Sequence, residues 1–99
     1  MQAALESAAH GALVMVIEDV FTISGRGTVV TGTVQAAVSE DDVLALTDTG
    51  GNKIKDVPVA GIEVSGKAVK KVSAGDYAGL LLGGVGKKQA IKGMKLYMT

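Results

Sequence analysis

Several stretches of this sequence carry residue types that could do chemistry. Residues 16–34 read VIEDVFTISGRGTVVTGTV, with Gly25 and Gly27 on either side of Arg26. Glycines at such spacing hold a pyrophosphate when GxGxxG joins a strand to a helix. Here Gly27 is followed by Thr-Val-Val-Thr, and the next glycine comes late, at Gly32. That run is β-branched, so no helix N-terminus follows to receive a phosphate. The spacing predicts a hairpin turn in which glycine supplies positive φ. Gly83-Gly84-Val85-Gly86-Lys87 fails as a P-loop at two places, Leu81 and Lys88, which stand where that motif needs Gly and Ser or Thr. It reads as a glycine-rich loop leaving a strand. Glu18-Asp19 and Asp41-Asp42 are neighbours in sequence. Neighbours on a strand point to opposite faces, so neither pair makes an acid/base site by itself. His10 is the single histidine and lies in an Ala-rich start. No nucleophile, base and orienting acid come together, so no catalytic residue, metal site or cofactor is expected, and the chain reads as a non-enzyme.

Composition narrows the partners. The 99 residues suit one small domain. Apolar residues make up 47%, enough for a core, and the absence of cysteine removes disulfides and thiolate metal sites. Basic and acidic residues balance at 10 each, whereas a DNA-binding chain usually carries a basic excess. The charges are unevenly spread. Glu40, Asp41 and Asp42 form an acidic knot, and Lys67, Lys70, Lys71, Lys87, Lys88, Lys92 and Lys95 load the last third. No apolar run approaches the ~20 residues of a membrane span. The start lacks a basic n-region, so a cytoplasmic protein with no membrane partner is expected.

The elements that must position these residues are short strands. Residues 1–11 are Ala-rich and predict a tail or short helix, leaving 12–99 as the folded domain. LVMVIEDVFTI predicts a strand bent or bulged at Glu18-Asp19. In TVVTGTVQAAV, alternation puts Val30, Gly32 and Val34 on one face and Val29, Thr31 and Thr33 on the other. VLALTD, a TGGN turn and KIKDVPVAGIEVSG follow, with Pro58 tolerated only at an edge or bend. YAGLLLGGV and KLYMT complete the set, with one helical turn expected over 87–92. Many short strands with glycine turns predict an all-β sandwich or barrel.

Several blocks then carry a resemblance. VIEDVFTISGRGTVVTGTV closely resembles the start of the second domain of elongation factor Tu and related translational GTPases. VSEDDVLAL is similar to that family's V-x-x-G-D-x-V, with Asp41 where glycine is usual. VAGIEVSGKAVKKVSAGDYAGLLLGGV and AIKGMKL resemble its later segments, so the likeness covers about residues 12–97 in order. It implies a small closed antiparallel, Greek-key-like β-barrel, here without the family's GTPase domain. It also implies an RNA 3′-end pocket. Ile23, Val29 and Leu81 match the apolar wall for a terminal adenine, and Glu63 matches the carboxylate that reaches the ribose hydroxyl. A carboxylate accepting from a 2′-OH and aliphatic side chains around a base are sensible chemistry. Lys67 and Lys92 match RNA-backbone contacts. The chain departs from the family at Ser65-Gly66, at Tyr77 and at Gln35-Ala36-Ala37. The expected function is a non-catalytic binding module contacting tRNA or ribosomal RNA. The alternative is a structural barrel docking on a GTPase-like or other protein partner.

Overall fold

In the computed structural model, residues 11–86 and 88–99 are described. His10, most of the expected N-terminal tail or helix, and Lys87 lie outside them.

Branched residues favour extended backbone, and they set β1 (Leu13–Val16) and β2 (Asp19–Ile23). Between the two, Ile17 N donates to Met94 O at 2.8 Å and Glu18 N to Thr31 O at 2.8 Å. The chain thus changes partners at the acidic pair, where the bend is expected. β1 pairs with β10 (Lys95–Met98), and β2 pairs with β3 (Gly27–Thr33). The remaining strands are β4 (Val38–Ser39), β5 (Val43–Thr47), β6 (Lys53–Val64), β7 (Lys67–Val69), β8 (Lys71–Val72) and β9 (Tyr77–Leu82). One sheet runs β1-β10-β5-β6-β9-β3-β2, with β7 also on β6, and β4 pairs with β8 in a small ribbon.

The molecule is all-β among the described residues, as expected. The sheet is strongly curled, but among the described residues no ladder runs between its ends, so it is a half-barrel rather than the closed barrel expected. β1 approaches the chain just past β3 through the bridge Met15↔Val34 and a hydrogen bond from Gln35 N to Val14 O at 2.6 Å. Gly32 permits that approach. A Cβ there would stand 2.6 Å from Val16 O and 2.8 Å from Met15 Cγ.

The long β6 serves both halves of the sheet. Its first part pairs with β5, and its second with β9 and β7. The change falls at Pro58 and a bulge between Val59 and Gly61. Pro58 has no N–H to give a ladder, and its carbonyl accepts from Gly83 N at 2.9 Å. The proline therefore sits inside a continuous strand, at the point where β6 changes partners.

Alternation on β3 holds as well: Val30 and Gly32 are buried, while Val29 and Thr31 are half-exposed. Val30, Leu44, Leu46, Leu80, Leu82 and Leu96 are fully buried and form the centre of the core. The helical turn expected over 87–92 is absent among the described residues. Two successive turns take its place, with Gln89 N donating to Gly86 O and Met94 N to Ile91 O. Gly93 follows with φ of +95°, a conformation that ends any helical run.

Candidate functional site

The Gly25-Arg26-Gly27 stretch is the β2–β3 hairpin turn. Gly25 has φ of +77° and Gly27 of +133°, and Arg26 N donates to Ile23 O at 2.9 Å. It holds no phosphate cradle on a helix: strand leads in and strand leads out.

The outward face of the sheet around this hairpin is built from register. Phe21, Val29, Leu81 and Gly61 lie abreast on β2, β3, β9 and β6. One row along, Asp19, Thr31, Gly79, Glu63 and Ala68 lie abreast, ending on β7. Two of these outward positions are glycine. A Cβ at Gly79 would come within 3.3 Å of Val29 Cγ1, and one at Gly61 within 3.7 Å of Leu81 Cβ. With no side chains there, the neighbours stand around a trough.

That trough is a cleft of about 170 Å³. Ile23, Val29 and Leu81 form its apolar wall, and Glu63 stands at one end. Ala60 and Glu40 lie toward the other, because Asp41 N donates to Val59 O and brings the acidic knot against β6. Arg26 also lines it, from the hairpin turn. Among the described residues, the side chains of Glu40, Glu63 and Arg26 make no hydrogen bond or ion pair; the one ion pair is Lys53 with Asp56, at 2.8 Å. Exposed charged groups without protein partners are free to meet a ligand.

A second, more open groove of about 430 Å³ adjoins the cleft and shares Ile23, Val29, Glu63 and Gly79 with it. Phe21 and Tyr77 flank this groove, 55% and 52% exposed. The chain has three aromatic residues in all, so two of them stand in solvent on one face. Tyr77 Oη lies 3.3 Å from Thr31 Oγ1, which ties β9 to β3 across the groove.

The structure brings Ile23, Val29, Glu63 and Leu81 together, although they come from four strands. It does not bring Lys67 or Lys92 into the cleft. Lys67 is exposed beside the lining residue Ala68, and Lys92 is exposed in the turn before β10. Sequence reasoning missed Arg26, Glu40, Gly61 and Gly79 as lining residues. Gly61 and Gly79 were open to detection by alternation, since each lies two residues from an outward Glu63 or Leu81. Glu40 was not, because only the tertiary fold sets it beside Ala60. Among the described residues, no group of three or more acidic or imidazole side chains could hold a metal ion, and no helix is long and apolar enough to cross a membrane.

No protein-family profile matches the chain. The crystal structure of a bacterial selenocysteine-specific elongation factor, EF-Sec, superposes with a TM-score of 0.74. The identity is 27%, over 90% of this chain. The chain resembles a translation-factor β-barrel domain. It spans 15% of the length of that elongation factor, so the likeness concerns one domain of a much larger protein. Asp41, where the translational GTPases usually have glycine, has φ of +77°. This is a left-handed conformation, and aspartate tolerates that region better than most residues.

Proposed function

We propose that this chain is a non-catalytic binding module of translation-factor type, whose cleft receives the unpaired 3′-terminal adenosine of a tRNA or ribosomal RNA. What supports the reading most is the meeting of Ile23, Val29, Glu63 and Leu81 at one cleft. The base inserts between Ile23 and Val29 on one side and Leu81 on the other. The Glu63 carboxylate accepts a hydrogen bond from the ribose 2′-OH, the group that distinguishes RNA from DNA. Lys67, next to Ala68, meets the approaching phosphate backbone, and Lys92 contacts RNA farther from the cleft. The same reading treats the curled sheet as a barrel, closed by the continuity of β1 into β2 through Ile17 and Glu18. It places the protein in the cytoplasm, where such RNAs are.

Fluorescence anisotropy with a short single-stranded RNA ending in adenosine tests this. Binding is expected to be weak, because a small cleft supplies few contacts against the cost of association. Glu63→Ala is expected to cost about 1–2 kcal/mol of binding. A 2′-deoxy terminal nucleotide should cost the same, and the two changes should not add, because they delete one interaction. Binding that ignores both changes would count against the cleft. A second reading rests on Phe21 and Tyr77, whose exposure on one face suits docking on a protein partner. RNA-independent capture of a GTPase-like protein through that face would favour it.

A further inference from the structure

β2 and β7 are each paired along one edge only among the described residues, β2 with β3 and β7 with β6. An open edge invites pairing with another chain, and lysine or proline on the strand is a common guard. β7 begins with Lys67 and is followed by Lys70-Lys71. β2 reads DVFTI, with neither lysine nor proline, and Phe21 and Ile23 stand exposed on it. The backbone of this edge is open too. Thr31 O accepts from Glu18 N, and Val34 N donates to Asp76 O. The odd positions of β3 therefore turn their backbone groups to β2 and the even ones to β9, and facing residues of an antiparallel ladder share that alternation. Asp19, Phe21 and Ile23 bond toward β3, while the N–H and C=O of Val20 and Thr22 point into the open edge. The edge is taken only at its start, where Gly93 N donates to Ile17 O at 2.9 Å.

What fits this edge is a second copy of it. Exposed acids, Glu18 and Asp19, stand at one end of β2, and the exposed Arg26 stands at the other. Asp19 and Ile23 are already about 13 Å apart at a rise of ~3.3 Å per residue. The two ends therefore do not meet within one chain, and among the described residues none of the three forms an ion pair. Two such strands laid antiparallel match acid to cation at both ends. We infer that the chain self-associates weakly through this edge, into a dimer whose two sheets join β2 to β2 about a two-fold axis at Thr22.

The register follows from that axis. Thr22 exchanges N–H···O bonds with the partner's Thr22. Phe21 faces the partner's Ile23, and Ile23 the partner's Phe21, at positions between the bonds where side chains come closest. Asp19 falls level with the partner's Gly25, so the Arg26 turn of each copy lies beside the acidic end of the other. The partner's hairpin ends there, short of Gly93 beside Ile17. A parallel pairing would instead set acid against acid and cation against cation. Phe21 and Val29 share the outward face, so both clefts open on the same side of the dimer. The partner's Phe21 then adjoins Ile23, which lines the cleft.

A short ladder supplies few contacts, so a dissociation constant on the order of 0.1–1 mM is expected. Sedimentation velocity of the full chain through that range, with no RNA present, should show monomer passing into dimer. Thr22→Lys changes an exposed side chain and sets two ammonium groups at the axis, so it should stay monomeric throughout. Arg26→Asp and Asp19→Arg should each weaken the dimer by about tenfold. The double variant Asp19→Arg/Arg26→Asp should return to within about threefold of wild type, because the two ends exchange charge and match again. Thermal melts verify each fold, and Thr22→Lys with Arg26→Asp suffices where Asp19→Arg does not fold. A wild-type chain that stays monomeric through this range would overturn the dimer. So would a dimer indifferent to Thr22→Lys, which would use another surface, or a double variant no tighter than the single ones.

Discussion

β3 and β9 each present two faces made by alternate residues of the same strands, and the faces are built differently. Inward, Val30, Leu80 and Leu82 are fully buried and touch one another through the core. Outward, Val29 and Leu81 are only half-covered, and Gly79 leaves a gap between Thr31 and Glu63. The inner face is buried throughout, where close packing supports stability. The outer face gives up contacts: a glycine in a strand costs about 0.5–1 kcal/mol relative to alanine. The contrast teaches that the cleft comes from omission, two missing side chains on a sheet whose other face holds the fold together.

The sharpest way to break this comparison uses two adjacent leucines. Leu80→Ala empties a fully buried site and is expected to destabilise the fold by about 2–5 kcal/mol. Leu81→Ala removes a half-exposed wall of the cleft. Its stability cost should be well under half of that, while RNA binding falls. Urea unfolding of both variants decides. Similar losses would mean that the outer face carries the fold as well.

The hairpin that brings Arg26 and Ile23 to the outer face gives the next effect. Gly27→Val puts a β-branched residue at φ of +133°, with its Cβ 3.3 Å from Leu82 O. A loss of more than about 1 kcal/mol is expected by chemical denaturation. Asp41 tests the opposite change at the other rim. Asp41→Gly relieves a left-handed backbone at φ of +77° and should raise stability by up to about 1 kcal/mol. A lowered midpoint would show that the aspartate side chain itself holds the acidic knot.

The smallest effect lies far from the cleft, in the β5–β6 turn. Asp48 Oδ1 accepts from Asn52 N and Gly50 N, each at 2.9 Å. The Asn52 backbone bond foremost holds its carboxyl below the ordinary 3.8, against an opposing effect of burial. A lowered pKa means stabilisation that is present above the unfolded-state value and lost as pH falls through the folded-state value. Asp48→Asn should therefore lower the melting temperature at neutral pH and narrow the gap to wild type in strong acid. A gap independent of pH would assign the turn's stability to its glycines instead.

How much of this was legible in the sequence follows from range along the chain. The β2–β3 hairpin, the bend at Glu18-Asp19 and the alternating faces of β3 are local and could be read from residue type and period. The meeting of Ile23, Val29, Glu63 and Leu81 was implied by resemblance, since no periodicity links residues so far apart. Two features were out of reach. β6 changes partners at Pro58, and Glu40 reaches Ala60 only through the turn at Asp41. The sheet's open ladder was also hidden, because closure depends on where β1 and β2 meet their neighbours rather than on either strand's own pattern.

The central claim is that the gap at Gly61 and Gly79 is a nucleoside site. Amide chemical-shift mapping during titration with a short RNA ending in adenosine tests it most directly. The account predicts that Gly61, Gly79, Glu63, Val29 and Leu81 move first and saturate together, and that Gly61→Ala abolishes these shifts while leaving the fold at least as stable. Shifts confined to the exposed lysines at 67–71 and 88–92, or a Gly61→Ala variant that titrates like wild type, would contradict it.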